Sequence, residues 1–278
     1  QVNQVECSIG ERPWNSNGPQ SNLFGVEPNY GCCTANLSQG WPKFAANLWM
    51  RTPNGGIAAV AYAPSEARFS TGGTSVRVRL DTDYPFRERL SFTITAEQPV
   101  RFPLLLRIPA WAEGACVQDG GEAAHPAGGS FHRIERLWEG ASRIELALPM
   151  RARSSRRFNA ALAIERGPLV YALPIGERWQ RVHEEQPYRE LPHADWEVYP
   201  TTPWNYALAV DEATLENDVT FTEHAVGETP FSPEGAPVSA TVKGKRLPDW
   251  GMAHGSATDA PHSPVTSSEP SETLTLIP

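Results

Sequence analysis

Along most of the chain, apolar and polar residues alternate in short runs. Val76-Arg-Val-Arg-Leu80 and Leu90-Ser-Phe-Thr-Ile94 keep period two without a break, as strands with one buried face do. Similar runs cover 57–63, 75–80, 90–95, 103–108, 131–135 and 143–148, with Gly, Pro and Asp clusters between them. A second series follows at 160–164, 169–173, 206–210, 219–222, 238–242 and 274–277. Short strands separated by turn signals predict a mainly β chain built of two β-sandwiches. One stretch alone has helical spacing. Leu37, Trp41, Phe44 and Leu48 recur at intervals of three and four, so 34–50 reads as an amphipathic helix with Trp41 packed on its apolar stripe. Pro42 either kinks that helix or marks a fresh start just after Gly40.

A change of character near Pro53 and a softer one near 155 divide the chain into 1–52, 53–155 and 156–278. In the first part, residues 8–31 are rich in Gly, Pro, Asn and Ser. Ordered loops of that length are uncommon unless they carry function. Residues 249–272 read as a surface loop. The alternation of Glu272-Thr-Leu-Thr-Leu-Ile-Pro278 still runs at the last residue, and the first fifty residues hold no complete domain. Both features suggest a fragment of a longer protein.

Composition narrows the classes of partner. With 278 residues, 40% hydrophobic and 20% charged, the chain has the make-up of a globular protein. A net charge of −8 runs against a nucleic-acid partner, which needs a basic face. No apolar run approaches the roughly 20 residues of a membrane helix. Neither nucleic acid nor membrane is therefore expected.

The four cysteines, Cys7, Cys32, Cys33 and Cys116, are too few for a disulfide scaffold in a chain of this size. Adjacent cysteines are also poorly placed to bridge one another. The doublet Cys32-Cys33 is then either a metal or redox device or a chance pair in which one thiol packs. It ends a Gly-rich loop just ahead of the helix, where unpaired N–H groups and the positive end of the macrodipole favour thiolate. Thiolate is the form in which sulfur attacks carbon or binds zinc. Glu6-Cys7 is a weaker pair, and Cys116 reads as structural. Glu27 is the carboxylate nearest the doublet in sequence, Trp14 and Tyr30 flank it, and Trp111 and Trp138 follow strand patterns as core residues. His125, His132, His183, His193, His254 and His262 lack tight metal spacing and read as surface or loop residues.

The segment Gly31-Cys-Cys-Thr-Ala-Asn36, with Gln39-Gly-Trp-Pro-Lys43 behind it, resembles the β-L-arabinofuranosidases of glycoside hydrolase family 127 and relatives. Leu106-Arg-Ile-Pro-Ala-Trp111, Arg136-Leu-Trp-Glu-Gly140, Leu146-Ala-Leu-Pro-Met150 and Glu165-Arg-Gly-Pro-Leu-Val-Tyr171 extend the resemblance over nearly the whole chain. It implies an (α/α)6 barrel followed by two β-sandwiches, so that 1–52 would be the tail of the barrel with its final helix. It also implies a retaining mechanism with a zinc-activated cysteine nucleophile and a glutamate acid/base. Cys32 would attack the anomeric carbon, and Cys32 and Cys33 would hold the zinc. The family's acid/base and its remaining zinc ligands match nothing here, so the chain by itself is expected to be inactive. The implied substrate is an arabinose-containing oligosaccharide or related glycoside. The alternative is a non-catalytic β-sandwich module that binds carbohydrate or packs on a partner domain. A thiol redox protein fits poorly, because Cys-x-x-Cys is absent.

Overall fold

The computed structural model describes residues 5–14, 16–25, 32, 35, 36 and 38–278, and among these β-structure dominates. The first unit has eight strands: β1 Trp49–Arg51, β2 Ile57–Ala59, β3 Ser65–Thr71, β4 Thr74–Thr82, β5 Arg89–Ile108, β6 Cys116–Asp119, β7 Glu122–Ala124 and β8 Ser130–Ala147. They belong to one hydrogen-bonded sheet in the order β1-β2-β5-β8-β6-β7, with β3 and β4 joined to it through β5. The runs at 90–95 and 103–108 are two halves of one strand, as are 131–135 and 143–148. Between the two halves the paired strands carry a register shift, between Ala96 and Val100.

A bulge of this kind bends the strands that carry it. One half of β5 pairs with β4 and the other with β2, so a single sheet supplies both layers of a sandwich. Aromatic rings tie the layers together. Phe69 of β3 meets Phe102 in the far half of β5 with ring centroids 5.3 Å apart, and Trp49 of β1 meets Phe92 in the near half at 6.1 Å. Alternation decides which side chains enter: Val76, Val78 and Leu80 are buried, while Arg77, Arg79 and Asp81 face out. Trp138 lies fully inside, and Trp111 packs against the same core from its edge.

The second unit begins with β9 Ala152–Arg156, β10 Leu162–Arg166 and β11 Leu169–Tyr171, which form a three-stranded antiparallel sheet. A two-stranded ribbon follows, of β12 Glu177–Val182 and β13 Asp195–Pro200. β14 Tyr206–Leu208, a one-turn helix Leu215–Asp218, β15 Thr220–Glu223 and β16 Val238–Arg246 come next. Residues 249–272, expected as loop, contain the small hairpin β17 Met252–Ala253 and β18 Ser256–Ala257. β19 Ser271–Leu276 then pairs with β16, which also pairs with β14 and β15. Ile164 and Tyr171 from one sheet pack with Val238, Val242 and Leu276 from the other.

The two units interlock. Phe86, from the turn between β4 and β5, enters the second core. Arg166, 8% exposed, pairs with Glu223 at 2.8 Å and lies 3.9 Å from Glu88.

The helix is shorter than its spacing suggests. It spans Gly40–Ala46, with Pro42 in its first turn, and residues 38 and 39 form a turn ahead of it. At Asn47 the backbone leaves helical geometry, and Trp49 and Met50 already belong to β1. Among the described residues, no helix is long and apolar enough to cross a membrane.

On the outer face of the first sheet, Glu145 accepts hydrogen bonds from Arg89 Nε at 2.8 Å, Ser91 Oγ at 2.9 Å and Arg143 Nε at 2.6 Å. Chiefly through the Arg89 bond, its pKa falls from 4.5 to about 2. A carboxylate held below its unfolded value stabilises the fold above that value, and the contribution is lost as pH falls through the folded one. The melting temperature of Glu145→Gln should accordingly be lower than wild type near pH 6. The difference should close between pH 4.5 and 2 in a thermal-denaturation series.

Candidate active site

Cys32 is exposed on helical backbone, as are Ala35 and Asn36. Asn36 Nδ2 donates to the Cys32 carbonyl at 2.7 Å, and Gln39 Nε2 donates to Asn36 Oδ1 at 2.6 Å. The carbonyl behind the thiol is thus held by a side chain of the same motif. Cys33, Glu27 and Tyr30 lie outside the described residues. Beyond this turn, Trp41 and Phe44 meet edge to face at 6.3 Å. Trp41 is 74% exposed, and no residue of Gly40–Ala46 is buried. The expected packing of Trp41 is therefore corrected: Trp41 and Phe44 are exposed, and among the described residues of the stripe Leu48, past the helix end, is the one that is buried.

The segment that leads to the doublet is anchored on the β12–β13 ribbon. Cys7 and Val198 exchange two backbone hydrogen bonds at 2.9 and 2.8 Å, as do Phe24 and Trp196. Ile9 N–H donates to Glu197 Oε1 at 3.0 Å, and Tyr199 O–H donates to Oε2 of the same carboxylate at 2.9 Å. Burial pushes the Cys7 thiol pKa up. It is therefore a poor source of thiolate, and Glu6 accepts from Ser8 Oγ at 3.0 Å. Among the described residues, no group of three or more His, Cys, Asp or Glu could hold a metal. Cys116 opens β6 and is half-buried, consistent with a structural role. Trp14 is 37% exposed and meets His254 edge-on at 6.4 Å.

One cluster runs against the surface reading of the histidines. His183 Nδ1 lies 2.9 Å from Asp195 Oδ2, and Arg189 Nε lies 3.0 Å from the same oxygen. The Asp195 side chain is 3% exposed, and its second oxygen is buried without a hydrogen-bond partner. Gly25 closes over that oxygen; a Cβ there would come within 3.0 Å of it. Gly25, the last described residue of 16–25, thus packs against this cluster. Asp195, Glu197 and Tyr199 share one face of β13, an alternation visible in the sequence but with carboxylates at the inward positions. His125, His193, His254 and His262 are exposed, and His132 is half-buried.

Residues 56–150 match the family model for the middle domain of glycoside hydrolase family 127 β-L-arabinofuranosidase, a stretch that runs from β2 through β8. Comparison with curated proteins gives no match. Among solved structures, a family 127 β-L-arabinofuranosidase from Geobacillus stearothermophilus T6 superposes with a TM-score of 0.59 at 22% identity, over 89% of this chain and 34% of that one. A protein described as a glycoside hydrolase gives 0.63 at 17% identity, over 99% and 41%. A family 127 β-arabinofuranosidase gives 0.54 at 17%, over 92% and 37%. These likenesses show a shared fold, and the chain spans between 34% and 41% of the length of these proteins. The match to the family 127 β-L-arabinofuranosidase middle domain is thus confined to residues 56–150, and the structural likeness extends over most of the chain.

Proposed function

We propose that the chain is the C-terminal part of a zinc-dependent, retaining glycosidase of β-L-arabinofuranosidase type, with Cys32 as nucleophile. One observation carries the reading: the thiol doublet of Gly31-Cys-Cys-Thr-Ala-Asn36 lies directly ahead of that family's middle domain. In this reading 1–52 end an (α/α)6 barrel, and 53–155 and 156–278 are its two sandwiches. The substrate class is an arabinose-containing oligosaccharide or related glycoside.

The donors suit zinc, which takes thiolates in tetrahedral sites. Cys32 and Cys33 would hold it, with the other ligands supplied by the barrel. Bound there, zinc would lower the thiol pKa and fix the sulfur in place. Cys32 Sγ would form a bond to the anomeric carbon as the glycosidic C–O bond breaks, the leaving oxygen taking a proton from the barrel's glutamate. The same glutamate, now a base, would deprotonate a water whose oxygen replaces sulfur at that carbon and restores the thiolate. The ribbon's part is positional: it holds residues 7, 9 and 24 and so fixes where the cysteine loop begins.

Alkylation mapping on the full-length protein tests the metal assignment. Zinc should protect both Cys32 and Cys33, and Cys33→Ser should bring bound zinc well below one equivalent. Labelling rates at both thiols that do not change with chelator would overturn it and favour the non-catalytic module.

A further inference from the structure

The second unit carries two concavities that the cysteine chemistry does not use, and one indole separates them. The larger, of about 650 Å³, opens between β10 and β14. Its walls include Leu162, Leu208 and Val210, and its rim carries Arg156, Asp211 and Glu212. The smaller, of about 400 Å³, is lined by Thr202, Trp204, Asn205 and Arg246. Trp250 lines both. It is therefore a ridge reached from either side.

Trp250 is held rigidly. Its Nε1 donates to the Thr258 carbonyl at 2.9 Å, and its own carbonyl accepts from Asn205 Nδ2 at 3.1 Å. Asn205, 8% exposed, also donates to the Leu247 carbonyl at 2.8 Å. Trp204 meets the indole edge to face, with centroids 5.1 Å apart. On the rim of the larger concavity, Arg156 pairs with Glu212, which Ser154 Oγ also reaches at 3.1 Å. On the other side, Arg246 Nη2 donates to Asn205 Oδ1 at 3.3 Å, while Arg246 Nε is buried with no acceptor. The Arg246 guanidinium thus borders the smaller concavity with its Nε turned into the protein and its Nη2 on Asn205.

We propose that Trp250 is the centre of a second, non-catalytic glycan site, which takes an arabinofuranosyl oligosaccharide laid across the indole. An aromatic face accepts the C–H face of a sugar, and the guanidinium, amide and carboxylate groups on either side match hydroxyls as donors and acceptors. Concavities of these volumes fall in the range of small-ligand sites. The glycan class rests on the function proposed above; the site rests on the geometry. The site lies in the second unit, outside residues 56–150, so it would hold a polymer while another part is cleaved. Such tethering raises local concentration without altering the reaction itself.

The test uses the 278-residue chain labelled with 5-fluorotryptophan and titrated with an arabinan-derived pentasaccharide. The resonance assigned to Trp250, by its loss in Trp250→Ala, should shift and saturate with a dissociation constant on the order of 1 mM. Calorimetry on Trp250→Ala should show affinity weaker by about tenfold or more, with Cys32→Ser binding as wild type does. Should Trp250→Ala fail to fold, Trp250→Phe and Trp204→Phe supply the assignments and the wild-type shift pattern decides: movement confined to Trp204 and Trp250 supports the site. No shift at saturating sugar overturns it, as does tighter binding of cellopentaose. Hydrolysis by the full-length protein is a separate outcome. Binding here with no hydrolysis there would leave the site standing and remove the glycosidase.

Discussion

Replacing Cys32 with serine in the full-length protein should lower turnover of an aryl β-L-arabinofuranoside by on the order of 10⁴-fold or more, since removing a nucleophile from a covalent mechanism removes both of its steps. Serine keeps the size of the side chain and its place in the turn held by Asn36, so KM should change little while kcat collapses. That split separates lost chemistry from lost binding. Cys116→Ser is the matched control, because Cys116 belongs to the middle domain, distant in sequence from the doublet and half-buried in β6; it should retain near-normal kcat. The 278-residue chain alone should show no turnover even with zinc and reductant. A missing general acid costs about 10²–10⁴-fold by itself, and the sugar would also lose the walls that orient it. Full-length Cys32→Ser with wild-type kcat would sink the nucleophile assignment.

What the sequence reveals about this fold depends on which residues occupy the inward positions. Where they are apolar, as in Val76-Arg-Val-Arg-Leu80, period two is plain and the strand is found where expected, with the arginines outside. β12 and β13 escape because their pattern does not mark apolar burial. Asp195 and Glu197 point inward; His183 and Arg189 face one oxygen of Asp195, and Tyr199 and the Ile9 amide donate to Glu197. An alternation of carboxylates looks like a solvated face until the partners that bury it are known. Tyr199 lies two residues from Glu197 and His183 twelve from Asp195, but the Ile9 amide comes from 188 residues away, outside any local window. β9, Ala-Arg-Ser-Ser-Arg, is missed for the same reason.

The helix errs the other way. Leu37, Trp41, Phe44 and Leu48 form a good stripe, but Gly40 and Pro42 restart the backbone. Trp41 is left at 74% exposure. Periodicity identifies a face that favours burial; it does not say that this chain provides the cover. For the candidate site, the doublet was legible because its residue types are chemically specific. The Trp250 ridge was not. Trp204, Asn205, Arg246 and Trp250 come together through the pairing of β14 with β16 and the turn that follows.

The largest expected loss of stability is at Trp138. The side chain is fully buried beside the bulge where β5 and β8 bend, opposite Val100 in the register. Its ring stacks on Phe102 with centroids 5.4 Å apart and planes at 25°, its Nε1 donates to the Phe102 carbonyl at 2.9 Å, and the Arg136 guanidinium lies 4.3 Å above it. Alanine would leave a cavity between the layers and orphan that carbonyl, at a cost of about 3–5 kcal/mol for the lost packing and roughly 1 kcal/mol more for the unmade bond. In a chain of this size that corresponds to a fall in Tm of about 10 °C or more. Phenylalanine keeps an aromatic ring against Phe102 but cannot donate, so Trp138→Phe should lose only about 1–3 kcal/mol. The neighbouring Leu137 is 50% exposed on the opposite face of β8, and Leu137→Ala should stay within about 0.5 kcal/mol of wild type. Calorimetry of the three variants reads the order directly. If Trp138→Ala melts no lower than Leu137→Ala, the indole does not close the sandwich at its bend, and the two halves of the long strands must be held together elsewhere.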